Sequence, residues 1–384
     1  GLSAVQAVSR HHLQHLLSRD TRGVIVTTIH KFDHMPKDIC TRRNVVVLVD
    51  EAHRSQEGDL GVYMNAALPQ AFQFGFTGTP IDRGKVGKGT YETFGHQADA
   101  RGLHDEYTIN ESIEDGTTLP LFYTLAPTNI WVDKLKLEGD FTHLLDEFWQ
   151  LVDEEGAGTQ EALSKLLERA DKLMAVLKAP QRIEAIAGHI FQHYQEYVLP
   201  HGFKALVVTP DREACALYKQ ALDQYLPESW SKVVYSQAPK RDSDLMKGHY
   251  LDEDEEKRVR KAFRDPHQDP KLLIVTQKLR TGYDAPVAYA MYLDKPLKDH
   301  TLLQAIARVN RPYPHKKSGL IVDYIGVFKD LQRALSGNTA GVERGLIDYE
   351  TLKPHFADLM AQTQATLAPI APANVTGAGA GPRQ

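Results

Sequence analysis

The chain has 384 residues, 42% apolar and 25% charged, with a net charge of −5 at pH 7. At roughly 150 residues per domain this length gives two or three globular domains. The charge excludes a uniformly basic polyanion binder, so any nucleic-acid contact must come from a local basic groove.

Cys40 and Cys215 are the only cysteines, which fits a reducing cytosol rather than a disulfide framework. No apolar run approaches the ~18 residues that cross a bilayer. Gly1-Leu2-Ser3-Ala4 has neither a basic region nor a long apolar stretch, so no signal peptide is expected. The expectation is a cytoplasmic protein without membrane contact. The missing initiator Met points to a processed chain or a fragment.

In chain order, short apolar runs occur at Val24–Thr28, Val45–Val49 and Phe72–Phe76. They return at Ala205–Val208, Val233–Tyr235, Leu272–Val275, Ala290–Leu293 and Leu320–Val322. Continuous runs of this length predict strands covered on both faces, as in the parallel sheet of a doubly wound α/β fold, with Val45–Val49 the most buried. Between the two sets, Ile183, Ile186, Ile190, Tyr194 and Val198 follow at helical spacing and put one apolar stripe on a helix. The organisation is therefore lobe, helical connector, lobe. Asp252 to Glu256, followed by Lys257, Arg258, Arg260 and Lys261, reads as a solvated helix face. The last residues, from Ala371, are rich in Gly, Ala and Pro and read as disordered.

Four segments carry chemistry. Asp50-Glu51-Ala52-His53 directly follows the strongest strand. Ligands of open α/β sheets sit beyond the carboxyl ends of strands. Two adjacent carboxylates there suit a nucleotide site, with Asp50 holding Mg²⁺, Glu51 orienting the attacking water and His53 sensing the phosphate. A solvated turn with a helix-capping Asp accounts for the same letters. Thr77-Gly78-Thr79-Pro80 follows the third strand, where its hydroxyls can bridge the carboxylates to the neighbouring lobe. An ordinary Gly-Pro turn is the alternative.

The third segment runs from Thr276 to Pro286. Thr276 and Lys278 suit a nucleic-acid phosphate, and Gly282 and Asp284 the nucleotide. A polar loop ending in a Pro turn is equally compatible. In the fourth, Gln304 to Pro312, Arg308 and Arg311 are three apart, on one face of a helix. Planar guanidiniums there suit clamping a γ-phosphate. Taken alone they are a pair of surface arginines.

The four segments together, in this order, resemble the superfamily 2 helicase and translocase core, in which two RecA-like lobes hold ATP between them. Asp50 to His53, Thr77 to Pro80, Thr276 to Asp284 and Gln304 to Arg311 are similar to its motifs II, III, V and VI. A DEAD-box RNA helicase would show Ser-Ala-Thr in motif III, which is absent. Finer stretches resemble the R subunits of type I restriction enzymes: Thr27 to Phe32, Asp50 to Gln56, Phe74 to Ile81, Ser112 to Gly116, Arg280 to Pro286, Leu303 to Tyr313 and Asp323 to Gly326. The resemblance covers about residues 12 to 335. His30 stands where that family typically has Gln, and Tyr283 where it often has Phe.

The resemblance implies an ATP-dependent translocase on double-stranded DNA, working with modification and specificity subunits, with ATP and Mg²⁺ as cofactors. It assigns Thr27, Thr28, Lys31 and Thr209 to the DNA backbone beside Thr276 and Lys278. Gln304 joins Thr77, Thr79, Gly282 and Asp284 at the nucleotide. The expected domains are the first RecA-like lobe at 1–135, N-terminally truncated, and the connector at 136–198. The second lobe follows at 199–335, then a C-terminal helical segment and tail at 336–384.

No Gly-x-x-x-x-Gly-Lys-Ser/Thr phosphate loop is present. Gly84-Lys85-Val86-Gly87-Lys88 has the wrong spacing and follows no strand. The resemblance puts that loop, and a nuclease domain, upstream of residue 1. By itself the chain is expected to be a poor ATPase, and its first lobe to expose an unpaired strand edge. Two other readings stay open, a non-catalytic DNA-binding remnant of such a motor and another superfamily 2 helicase.

Overall fold

The computed structural model describes residues 3–52, 59–78, 94, 103–127, 160–276, 283–297, 299–326 and 346–348. The chain divides into two compact units, Gly1–Tyr107 and Thr108–Gln384. Among the described residues, no helix is long and apolar enough to cross a membrane.

The first unit contains β1 (Ala4–Gln6), α1 (Arg10–Leu17), β2 (Val24–Val26), β3 (Val46–Asp50), α2 (Asp59–Ala67) and β4 (Phe72–Phe76). Strand β1 runs parallel to β2, and β3 parallel to β4, in two separate sheets. Ser9 caps α1 by accepting from the His12 amide. The core gathers Leu13 and Leu17 with Phe32, Met35, Cys40, Met64 and Leu68. Gly75 is required in β4, because a Cβ there would lie 2.7 Å from the Phe94 ring and 2.9 Å from Ala52.

Here the apolar-run expectation is corrected. β3 and β4 alternate between half-buried and exposed residues. Val46, Leu48, Phe72, Phe74 and Phe76 all stand exposed on one face, Leu48 at 67%. A run of apolar residues states what a strand is fit to bury. It does not state whether both faces are covered.

Among the described residues, the second unit is built on seven strands, all parallel, in the order β11-β5-β10-β9-β6-β8-β7. They are β5 (Leu121–Leu125), β6 (Lys204–Val208), β7 (Ser231–Val234), β8 (Leu272–Val275), β9 (Ala288–Leu293), β10 (Gly319–Asp323) and β11 (Leu346–Asp348). β6, β8 and β10 are buried along their whole length, as continuous apolar runs require.

Side chains alternate between two apolar layers. Ala205, Val207, Ile274, Tyr292 and Val322 face α5 (Pro180–His193) and α6 (Arg212–Leu222), through Ile183, Ile186, Ile190, Tyr218 and Leu222. Leu206, Val208, Leu273, Met291 and Ile321 face the other layer. It holds Leu173 and Leu177 of α4 (Gln160–Leu177), Phe263 of α7 (Glu253–Phe263), and Leu302 and Ile306 of α8 (Asp299–Ile306). The predicted stripe Ile183, Ile186, Ile190, Tyr194, Val198 is buried throughout. α5 is further fastened by Arg182, whose guanidinium donates to both carboxylate oxygens of Asp294 at 2.9 and 2.5 Å.

These placements differ from the expected domain limits. The short helix α3 (Ile109–Glu114) and β5 belong to the second unit, not to a first lobe ending at 135. β5 pairs with β10 from Leu121↔Gly319 to Leu125↔Asp323, and the Tyr123 hydroxyl donates to Asp323. α5 is a layer of the second sheet rather than a free-standing connector. β11 lies within the segment expected to be helical, the rest of which, like the tail, is outside the described residues.

One consequence is directly testable. A Cβ at Gly319 would sit 2.4 Å from the Val309 carbonyl oxygen and 2.8 Å from Leu121 Cδ2. Gly319→Ala is expected to destabilise the second unit by about 1–3 kcal/mol through backbone displacement, measured as a lower urea midpoint. A wild-type midpoint would show that the two strands separate freely.

Candidate active site

The candidate residues of the first unit, and Thr209 and Thr276 of the second, stand at the carboxyl ends of parallel strands, where chain direction leaves loops free to hold ligands, whereas Tyr283, Asp284, Arg308 and Arg311 stand at the amino ends of β9 and β10. In the first unit β3 ends at Asp50, which is exposed, and Glu51 follows in the left-handed region at φ 51. The Glu51 amide donates to Asp50 Oδ1 at 2.9 Å. A non-glycine residue in this region is uncommon, and such backbone clusters at functional sites. The register pairs Asp50 with Phe76, so Thr77 leaves the sheet beside Glu51. His53 and Thr79 lie outside the described residues.

Thr27 and Thr28 leave the carboxyl end of β2. Thr28 opens the short 3-10 helix Ile29–Phe32, and its hydroxyl accepts from Lys31 Nζ at 3.4 Å. Thr27, Thr28 and Lys31 therefore form one group on their own two-stranded sheet.

In the second unit the register aligns Val208, Val275 and Leu293, so Thr209, Thr276 and Asp294 stand side by side one residue further on. Thr209 is fully buried, with its hydroxyl donating to the Asp211 carbonyl at 3.0 Å. Thr276 is also buried and donates to the Pro210 carbonyl at 3.2 Å. Both hydroxyls are turned into the protein. Lys278 and Gly282 fall outside the described residues.

A second group forms where the Tyr283-Asp284 turn meets the arginines. Arg308 donates to the Tyr283 carbonyl at 2.6 Å. Arg311 Nε lies 3.9 Å from Asp284 Oδ1, both side chains substantially exposed. Arg264 donates to the Asp284 carbonyl at 2.8 Å, and Arg260 and Arg264 stand 5.6 and 5.3 Å from the Tyr283 ring centroid. Burial pushes the Tyr283 phenol well above its usual range. Lys316, also buried, donates to the Pro286 and Ala288 carbonyls at 2.9 and 2.6 Å, and burial lowers its ammonium to about 7. Gln304 is half-buried on α8.

One expectation is corrected here. Arg308 and Arg311 do not share a helix face, because α8 ends at Ile306. The amides of Arg308 and Val309 bond three residues back, to Ala305 and Ile306, in a tightened last turn. Pro312 disfavours helical backbone at Arg311. The Asn310 carbonyl accepts from the Leu119 amide, tying the segment to the approach of β5.

Arg264 and Lys295 were not singled out by the sequence, and Arg260 was read only as part of a solvated helix face. Arg260 and Arg264 are an i,i+4 pair following the acidic run. The exposed ion pair Lys257–Glu253 supports the solvated-face reading of that helix, whereas Arg260–Glu256 is largely buried and the last turn faces Tyr283. Among the described residues, no group of three or more His, Cys, Asp or Glu is arranged to hold a metal.

Known proteins fit this architecture. Residues 2–154 match the SWI2/SNF2 ATPase family, and residues 203–326 match type I restriction enzyme subunit R domain 3. The fold resembles a fragment assigned as an HsdR subunit of a Vibrio vulnificus type I restriction enzyme, with TM-score 0.54 and 17% identity over 90% of this chain and 55% of that one. It also resembles the ATP-dependent Type ISP restriction-modification enzyme LlaBIII, with TM-score 0.51 and 13% identity over 90% of this chain and 26% of that one. The protein is thus of the parallel-sheet, RecA-like α/β class.

Sequence relatives narrow the class. The chain is 36% identical to a protein named as the MjaVIIP type I restriction endonuclease subunit of Methanocaldococcus jannaschii, over 77% of this chain and 29% of the relative. It is 32% identical to the HindI type I restriction endonuclease subunit of Haemophilus influenzae, over 88% of this chain and 33% of the relative. The chain is a homologue of type I restriction enzyme endonuclease subunits, and it spans about a third of the length of these curated relatives.

Proposed function

We propose that the chain is the motor portion of a type I restriction endonuclease subunit, an ATP-driven translocase on double-stranded DNA that works with modification and specificity subunits. The observation that carries this reading is the arginine group of the second unit, in which Arg308 and Arg311 both engage the Tyr283-Asp284 turn that leads into β9. Guanidiniums held in this way suit charge that builds on a transferring γ-phosphate.

Asp50 and Glu51 supply the complementary chemistry. Mg²⁺ is commonly held by one or two carboxylates together with nucleotide phosphates and water, so the exposed Asp50 fits it as a single ligand. When bound, the ion would polarise the phosphate oxygens. Glu51 orients the water and takes its proton. Thr77 lies beside this pair. His53, Thr79, Lys278, Gly282 and Gln304 keep the roles given above as part of the proposal. Thr27, Thr28 and Lys31 supply backbone contacts to DNA.

The test is steady-state ATP hydrolysis by the full-length protein, with and without linear duplex DNA, beside Asp50→Ala. DNA-stimulated turnover that disappears in the variant is expected. Turnover that survives Asp50→Ala would sink the reading. A second reading is a DNA-binding remnant of such a motor without catalysis. It predicts DNA binding indifferent to ATP and falling steeply with salt.

A further inference from the structure

Lys295 stands two residues beyond β9, and only 8% of it is exposed. Its ammonium donates to the Pro210 carbonyl at 2.6 Å and to the Thr276 hydroxyl at 2.8 Å. The Thr276 hydroxyl donates in turn to the same carbonyl. One lysine thereby joins the segments leaving β6, β8 and β9. The neighbouring Asp294 carboxylate is held by Arg182 and Tyr218. Burying an ammonium is costly, and only well-placed partners offset it. An apolar side chain would pack here at lower cost, so the lysine calls for an explanation beyond filling space.

We propose that Lys295 is a positioning residue for DNA contact by the second unit. It fixes the Thr276 hydroxyl and the Pro210 turn, so that Thr209, Pro210, Asp211 and Thr276 present their backbone at a set spacing. Its own ammonium is engaged inside the protein and does not reach a phosphate. This inference rests on the motor reading above, and it assigns Thr209 and Thr276 a supporting role in place of direct hydroxyl contact.

The test compares Lys295→Met, Thr276→Val and the double variant in the full-length protein. DNA affinity is read by anisotropy on linear duplex DNA across a salt series, with melting temperature as the folding control. Each single variant is expected to weaken binding about tenfold. The double variant should lose clearly less than the sum of the two singles, because both substitutions remove the shared Lys295–Thr276 bond. The slope of log affinity against log salt should stay at the wild-type value.

A slope lower by about one in Lys295→Met would mean a lost phosphate contact, and would overturn the positioning role. Additive losses, or wild-type affinity in a folded variant, would overturn it as well. Should Lys295→Met not fold, Thr276→Val breaks the same contact from the other side and decides the matter. Failure of the wild-type protein to bind DNA at all would overturn the motor reading itself, and this inference with it.

Discussion

Arg308→Ala in the full-length protein is expected to lower DNA-stimulated ATP turnover by about 10³-fold or more. A guanidinium that meets charge developing on a γ-phosphate acts in the transition state, so the loss should fall on kcat rather than on the KM for ATP. Arg308 also donates to the Tyr283 carbonyl, so alanine removes an anchor as well as a charge. Arg308→Lys separates the two effects. It keeps a cation near the turn but lacks the planar fork, and it should recover little activity. Equal melting temperatures for the three proteins, with kcat collapsing in both variants, would support the assignment. A variant that loses stability while keeping its turnover per folded molecule would assign Arg308 to structure alone.

Arg182→Ala is expected to be the most damaging single change to stability, at about 3–5 kcal/mol. The guanidinium is buried and paired in a bidentate fashion with Asp294, itself 1% exposed, while the Tyr218 hydroxyl donates to the same carboxylate. Despite burial, the attraction of Asp294 holds Arg182 firmly charged, with its pKa raised. Removing one partner strands a buried carboxylate. Removing both need not, so Arg182→Met combined with Asp294→Leu should cost less than Arg182→Ala. Urea unfolding of the three proteins checks the order, and a double variant worse than the single would contradict it.

Much of the second sheet was legible in the sequence. Val207-Val208, Leu272–Val275 and Leu320–Val322 lie inside strands buried along their length, and such runs admit few other readings. The Ile183 to Val198 stripe was legible because helical spacing is a local property. β5 was not, because Leu121–Leu125 mixes Phe122 and Thr124 with the buried Leu121 and Tyr123, and only a distant partner decides its sheet.

The candidate site divides along the same line. Asp50, Glu51, Arg308 and Arg311 are candidates because their short windows occur together and in order. Arg264 and Lys295 acquire partners only when β8, β9 and the Tyr283 turn come together. The bare face of β3 and β4 was also beyond reach, since composition gives no account of what lies opposite.

The pairing of β5 with β10 also governs the order in which this molecule can assemble. Tyr123 and Asp323, which bond across the two strands, are two hundred residues apart in the chain. Contacts at such separations carry a closure cost before they return any stabilisation, and sheets built on them fold slowly. During synthesis β5 leaves the ribosome long before its partner exists. A nascent chain halted before Gly319 would hold Leu121 and Tyr123 without the strand that pairs with them. The second unit is thus a late-closing fold, and its vulnerable interval is set by the time needed to translate the stretch between those two strands.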